Sequence, residues 1–455
     1  MNRPGNIENY LKKYAVFPKR PLRACALDDV DRAVVIPALA ESGSLFHTLS
    51  RVAANPADEL RRTLVICVVN NHRPPLATEA EIRDNGVTLA LLGALLDGDN
   101  ASAIRPDLRR ELDRIAGSGL RLGFIDASSP GAEVPDRDGG VGTARKIGMD
   151  AALAILSGRG PGGGIICCLD ADTWVMENYL SAVHDHYSQE KDPAAVTGYA
   201  HRMPSDPRLL ASICRYEIFL RSYVIGLAYA GSPYAFHAIG STMSCTAEAY
   251  GAVRGMNRRT AAEDFHFLDK LAKLGRVGHI EKTTVFPSPR TSHRVPFGTG
   301  RRMLQSVSDA ADEYRIHDHR TIEVLRVWLA DVAADPDRGA EAMLAAAQKI
   351  HPALGAYLDL SRFAVDWPVI RRNCPDPAHL RRQFHIWFDG LRTLRLVHHF
   401  DRSVFPPVPL FAGLKGLLDG LGETIDELAG SPAAEPGIDG QLRILAELRS
   451  RFPRS

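Results

Sequence analysis

Short apolar runs alternate with helix-spaced stretches along the first two-thirds of the chain. Ala33–Pro37 reads AVVIP, Leu64–Val69 reads LVICVV, Leu122–Asp126 reads LGFID and Gly164–Leu169 reads GIICCL. Each run is rich in apolar or β-branched residues and closes on Pro, Asp or a polar residue. That pattern predicts buried strands of a mostly parallel sheet. Between them, Ser44–Ala53 spaces Leu45, Leu49 and Val52 as a helix does, and Gly142–Leu156 sets Ile147, Ala151, Ala154 and Ile155 on one side. A further helical stretch is expected over Val175–Val183. Strand–helix alternation of this kind predicts an α/β, doubly wound domain, with ligands bound beyond the carboxyl ends of the strands.

The texture changes near Arg301. Glu323–Ala333, Ala340–Ile350 and Leu380–Val397 read as amphipathic helices, the last with Phe384, Trp387, Phe388, Leu391 and Leu394 at three- and four-residue steps. That aromatic stripe is read as helix-packing core. The expected organisation is an irregular or helical segment over 1–30, a catalytic α/β domain over 31–302 and a helical region over 303–455.

Composition narrows the function little. Of 455 residues, 45% are hydrophobic and 24% charged, with a net charge of +1. This is ordinary globular composition and gives no reason to expect bulk binding of nucleic acid or anionic lipid. The cysteines Cys25, Cys67, Cys167, Cys168, Cys214, Cys245 and Cys374 form no CxxC pair and are expected as reduced, mostly buried thiols. The opening residues lack the apolar core of a signal peptide, and Ser222–Thr246 is too interrupted by Gly, Pro and His for a membrane span. A soluble, cytoplasmic chain is expected.

Candidate chemistry begins where the fourth apolar run ends, at Leu169-Asp170-Ala171-Asp172. Side chains at i and i+2 of an extended chain project to the same side, so the strand delivers two carboxylates together. Paired carboxylates repel unless a cation lies nearby, and oxygen ligands suit Mg²⁺ or Mn²⁺. Such an ion can bridge a diphosphate and neutralise its charge as it leaves. The bland alternative is an Asp turn that caps the following helix. A second acidic pair, Glu263-Asp264, opens a helical stripe of Leu268, Leu271 and Leu274 that ends at Gly275. It can serve the helix dipole, act as a general base near the metal, or do both.

Other segments carry less. Gly139–Gly142 could cradle phosphate at a helix start, but it lacks the Gly-Lys-Ser/Thr ending of a P-loop. Arg290, His293 and Arg294 follow the expected last strand, where His293 could supply a third metal ligand and the arginines could hold a diphosphate or an acidic acceptor. His184-Asp185-His186 and His317-Asp318-His319 are read as solvated surface, and His398-His399 as a favourable helix end.

The order of these features resembles the GT-A fold of family 2 glycosyltransferases over roughly Arg32 to Arg302. Val34-Val35-Ile36-Pro37, followed by Glu41, resembles the family's opening strand with its proline and acidic residue near the nucleotide base. Gly142, Ala144 and Arg145 resemble its glycine-rich helix start with an Ala-Arg pair. Asp170-Ala171-Asp172 resembles its metal-binding motif. His237-Ala238-Ile239-Gly240 resembles its acceptor-side segment. Gly255-Met256-Asn257 with Glu263-Asp264 resembles its Gly-then-Glu-Asp order. Departures are Val69-Asn70-Asn71-His72, where the family usually carries an aspartate and Asp-Gly-Ser, and Lys146, where Asn is common.

The resemblance implies a nucleotide-diphosphate sugar donor and a hydroxyl acceptor. Pro37, Glu41, Asn70 or Asn71 would meet the nucleoside, and Gly142, Arg145, Glu263, Arg290 and Arg294 would help to hold the donor. Asp170, Asp172 and His293 would hold Mn²⁺ or Mg²⁺, and Asp264 would be the base of an inverting transfer. Three other readings stay open. One is a retaining transferase with a small acidic acceptor, another a sugar nucleotidyltransferase, and the last a non-catalytic sugar-nucleotide binder. A homodimer is compatible with each.

Overall fold

The computed structural model describes residues 5–17, 19–159, 164–291, 298–308, 314–428 and 435–453. The chain divides into two compact units. One comprises Met1–Arg202 with Ala238–Arg301, the other Met203–His237 with Arg302–Ser455.

The first unit is α/β and built on one nine-stranded sheet. Its strands are β1 (Arg23–Ala24), β2 (Arg32–Ala38), β3 (Thr63–Asn70), β4 (Arg121–Ala127), β5 (Ile165–Cys168), β6 (Trp174–Val175), β7 (Ala194–Tyr199), β8 (Met243–Thr246) and β9 (Val277–Phe286). The spatial order is β1-β4-β3-β2-β5-β8-β7-β9-β6. The long ladders β2–β3, β3–β4, β2–β5 and β7–β9 are parallel, and the short pairings β1–β4, β5–β8, β7–β8 and β6–β9 are antiparallel. All four strands expected from the apolar runs are present. Every residue of β2 and β3 is buried, as expected for central strands covered on both faces.

Proline fits inside β2 because of where the ladders stop. The β2–β5 ladder ends at Val35↔Cys168, while β2–β3 continues to Ala38↔Val69. Pro37 therefore lies past the end of the β5 pairing, where its missing N–H forfeits nothing. The strand runs on to Ala38 instead of closing at the proline. Chain order reverses between β2 and β5: β3 and β4 follow on one side, β5 on the other. In open α/β sheets the crevice at such a switch point, beyond the carboxyl ends, is where ligands bind.

An N-terminal helix, Gly5–Lys13, belongs to the same unit. Its Tyr10 hydroxyl donates to Asp150 Oδ1 at 2.5 Å, Tyr250 donates to the same oxygen at 2.7 Å, and Lys146 Nζ lies 3.2 Å from Asp150 Oδ2. Lys146 is thus accounted for structurally, as the buried cation that balances Asp150 beneath this helix.

The second unit is helical apart from a two-stranded pairing of Arg315–Ile316 with Val408–Pro409. Residues 203–237, expected within 31–302, fall here. The helix Pro207–Tyr229 buries Ile213, Cys214, Ile218, Ile225 and Leu227 in one cluster with Trp328, Leu414 and Leu448. Its buried Glu217 accepts both Arg449 Nε and Nη2 at 2.8 Å. The expected single helix over Leu380–Val397 is two helices, Pro377–Trp387 and Gly390–Ser403. Asp389 breaks it by accepting the Arg392 N–H at 2.9 Å as the N-cap of the second.

The aromatic stripe is core, as its spacing implied. Phe384 is fully buried, 5.9 Å from Trp328 and 6.0 Å from Trp367 between ring centroids. Phe384→Ala is expected to destabilise this unit by about 3–5 kcal/mol, read as an earlier transition in urea unfolding of the full chain. No helix among the described residues is long and apolar enough to cross a membrane. The described cysteines are unpaired by disulfides, five of the seven are buried, and burial pushes the Cys67 thiol up to about 12.

Candidate active site

The switch point is lined by residues from three segments. Asp170 and Asp172 leave the end of β5, Glu41 follows β2, and Arg290 follows β9. The short strand β6 pairs Trp174 with Phe286 of β9, which anchors the chain just after the two aspartates beside the segment that carries Arg290.

Arg145 organises the cluster. Its helix, Val141–Leu156, carries the guanidinium into the interior, where the side chain is 3% exposed. Nη2 donates to Asp170 Oδ1 at 2.6 Å, Nη1 to the Gly240 carbonyl at 3.2 Å and Nε to Glu263 Oε1 at 3.2 Å. Burial works against this charge, yet Asp170 and Glu263 outweigh it and raise its pKa, so Arg145 is a permanent cation. Its fork is committed to protein partners rather than presented to a ligand. Ser241, fully buried, donates its hydroxyl to the other oxygen of Asp170 and shares a 2.9 Å hydrogen bond with Thr173. Asp170 is therefore held on both oxygens.

Glycine is required at two of these positions. A Cβ on Gly240 would fall 2.1 Å from Arg145 Nη2, and one on Gly142 would fall 2.5 Å from the Arg259 carbonyl. Gly142 thus lets the helix start close onto the 257–259 backbone. Gly240→Ala is expected to expel the guanidinium from its seat and lower stability by about 1–3 kcal/mol, read by urea denaturation.

Asp172 is 16% exposed and pairs with Arg290 Nε, while Arg290 Nη2 also pairs with Glu41. Burial first, then the charges of Glu41 and Asp170, push the Asp172 carboxyl up to about 6 against the pull of Arg290. The site is short of positive charge at this carboxylate. A divalent ion fits that deficit. Mg²⁺ and Mn²⁺ are commonly held by one or two carboxylates together with substrate phosphates, so two aspartates suffice without a closed protein cage.

Asp264 opens the helix Glu263–Ala272 behind Ala262, whose φ of 56° is left-handed. Its Oδ1 accepts the Phe265 N–H at 2.7 Å. Burial and the neighbouring Glu263 charge push its carboxyl up to about 7, with the Phe265 N–H and Arg145 opposing and Asp170 adding. Asp264, Asp170 and Arg145 thus form one electrostatic cluster. Glu263, 5% exposed, anchors Arg145.

The remaining expected residues separate. Asn71 spends its amide on the His72 and Ser128 carbonyls and accepts from Asn85 at 2.7 Å, so it braces the loop after β3. Asn70 ends β3 and is buried. Pro37 lies within β2. His293 and Arg294 fall outside the described residues. His186 is not solvated surface, and His184, 32% exposed, is only partly so. His184 Nδ1 sits 2.6 Å from Arg32 Nη2, and His186, 9% exposed, lies 3.2 Å from Asp192.

Arg202 escaped the sequence reading. Its Nη2 donates to the Asp172 carbonyl at 3.1 Å, and the guanidinium lies 4.1 Å from the Trp174 ring centroid. Arg51 covers the same ring at 4.9 Å. Burial lowers the pKa of Arg202, with Arg290 and Arg51 adding and Asp172 opposing. Trp174, two residues beyond Asp172, was the only local signal: an aromatic platform for a cation.

No family model matches the chain, and no curated protein matches it. Among solved structures, it is similar to S. aureus TarS 1–349 in complex with UDP-GlcNAc, at 12% identity over 78% of this chain and 91% of that one, with a TM-score of 0.36. It is similar to the mannosyltransferase PcManGT from Pyrobaculum calidifontis in complex with GDP-Man and Mn²⁺, at 13% identity over 99% and 88% of the two chains, with a TM-score of 0.35. A third is M. tuberculosis glucosyl-3-phosphoglycerate synthase, at 12% identity over 70% and 89%, with a TM-score of 0.30.

Proposed function

We propose that this chain is a metal-dependent glycosyltransferase of GT-A type that passes a sugar from a nucleotide-diphosphate donor to a hydroxyl acceptor with inversion. The observation that carries the reading is the joining of three features through one buried arginine. Asp170 and Asp172 stand at the sheet's switch point, and Arg145 ties Asp170 to the helix start that bears Asp264.

In this reading Asp170 and Asp172 would hold Mn²⁺ or Mg²⁺. The ion supplies charge neutralisation to the departing nucleoside diphosphate. Arg145 acts one step removed, fixing the Asp170 carboxylate while Ser241 fixes its other oxygen. Arg290 and Arg202 flank Asp172 and offer guanidinium forks to phosphate oxygens. Glu41 steers Arg290, and Asn70, the last residue of β3, is the asparagine suited to the nucleoside, since Asn71 is committed to the loop. Asp264 takes the proton of the acceptor hydroxyl. The acceptor oxygen bonds to the anomeric carbon as the bond to the diphosphate oxygen breaks, and the electron pair leaves with the nucleoside diphosphate. A carboxyl raised toward neutrality by burial is well matched to that proton transfer.

The test is a thermal-shift screen of sugar nucleotides with and without Mn²⁺, beginning with UDP-GlcNAc and GDP-mannose, followed by assay of nucleoside diphosphate release. A donor at a hundredfold over its Kd is expected to add about 2.7 kcal/mol of stability, and to do so only with the metal present. If no sugar nucleotide shifts the transition and none is hydrolysed or transferred, the reading falls. Proton NMR of the product's anomeric centre decides inversion.

A further inference from the structure

The helical unit holds a second cluster, unrelated to the switch-point carboxylates. His317 directly follows the strand Arg315–Ile316, and its neighbour Asp318 caps the next helix by accepting the Arg320 N–H at 2.9 Å. His398 and Asp401 lie three residues apart on the helix Gly390–Ser403, and so on one face. His317 Nδ1 sits 2.9 Å from Asp401 Oδ2 and 3.1 Å from Oδ1. The His317 and His398 ring centroids are 5.7 Å apart. One potential ligand atom from each of the three residues lies within 4.8 Å of the others, and all three residues are partly buried. Among the described residues, this is the one group of three or more His, Cys, Asp or Glu side chains that converges so closely.

We infer that His317, His398 and Asp401 form a Zn²⁺ site. The donor set decides the metal: two imidazoles and one carboxylate suit Zn²⁺ or Co²⁺, whereas Mg²⁺ and Mn²⁺ prefer oxygen throughout. Ligand atoms about 2.0–2.1 Å from a tetrahedral zinc are roughly 3.3 Å apart. The His317–Asp401 pair, at 2.9–3.1 Å, is close to that spacing, and the three ligand atoms fall within 4.8 Å of one another. Three protein ligands leave a fourth position for water. The Tyr223 ring stands edge-on to His317 at 5.7 Å and limits how far that imidazole can turn. The ion would clamp the end of the 315–316 strand to a helix more than eighty residues later in the chain. The closure of so long a loop makes the expected consequence a gain in stability. The competing account is a plain His–Asp hydrogen bond with an imidazole beside it.

Full-length protein stripped with chelator and titrated with Co²⁺ separates the two accounts. The inference expects one equivalent to produce visible d–d bands of a low-coordinate nitrogen–oxygen site, displaced by Zn²⁺ with a rise in Tm. His398→Gln and His317→Gln should each weaken the binding by more than the roughly 10–100-fold that outer-shell changes cost. His317→Gln retains an amide that can donate to Asp401, so its fold is protected. Asp172→Asn and His399→Ala should leave the bands intact, which keeps this result separate from the fate of the transferase reading. Wild-type protein without the bands and without a Zn²⁺-dependent Tm, or bands as strong in either glutamine variant as in wild type, would overturn it.

Discussion

Asp172→Asn is expected to remove metal-dependent transfer while leaving the chain at least as stable as wild type. The first half follows from charge. A divalent ion contributes several kcal/mol of stabilisation to a departing diphosphate, and each 1.36 kcal/mol is a factor of ten in rate, so a loss of about a thousandfold in kcat is the expected scale. The second half follows from the environment of the carboxyl. Burial and the charges of Glu41 and Asp170 push Asp172 up to about 6. The folded chain therefore holds this proton more tightly than the unfolded chain does. The stability so gained is fully present at low pH and is lost as pH rises through about 6. At pH 7.5 the ionised side chain is a net cost, and asparagine, shaped like the protonated acid, removes it. A gain of about 1–3 kcal/mol is expected, with Arg290 still paired to Glu41. Urea denaturation at pH 7.5 alongside Mn²⁺-dependent nucleoside diphosphate release checks both halves. Full transfer activity in the variant would end the metal assignment, and a large drop in stability would show that Asp172 holds the fold.

What could be read in advance divides along a physical line. Local periodicity located β2, β3, β4 and β5, because a strand buried on both faces must be apolar at nearly every position. It also located the helix of Arg145 and both acidic pairs, since each lies within a few residues of a strand end or helix start. It missed what depends on distant partners. Pairings such as Arg145 with Asp170, Gly240 and Glu263 span 25 to 118 positions and leave no local trace. Lys146 looked like a departure until Asp150, Tyr10 and Tyr250 supplied its reason. Asn71 looked like a ligand for a nucleoside until Asn85 claimed its carbonyl oxygen. His317, expected on solvated surface, and His398, expected at a helix end, carry no local sign of the contact that Asp401 completes, because 84 positions separate His317 from Asp401. The helix Pro207–Tyr229 shows the same limit at the scale of domains. Its apolar face does not say which core it joins, and the partners that settle the matter lie beyond residue 302.

Asp264→Asn should abolish the proton acceptor and leave donor binding in place. General-base catalysis contributes roughly 10²–10⁴-fold, so kcat is expected to fall within that range while the donor Kd, read from the Mn²⁺-dependent thermal shift, changes little. The pH dependence supplies the sharper signature. Burial and the adjacent Glu263 charge push the Asp264 carboxyl up to about 7, and the base works only when ionised. In wild-type protein kcat/KM should therefore rise tenfold per pH unit below about 7 and level off above it. The asparagine variant should lose that limb and retain a low, flat rate. Glu263→Gln probes the cause from the other side. Removing the neighbouring negative charge makes ionisation of Asp264 easier, which moves the limb to lower pH. The same change withdraws one of the three partners of Arg145, so its kcat should fall while its limb remains visible. A limb that persists unchanged in Asp264→Asn would assign the titration to another group, and the acid-base role at this helix start would have to be given up even if the metal assignment survived.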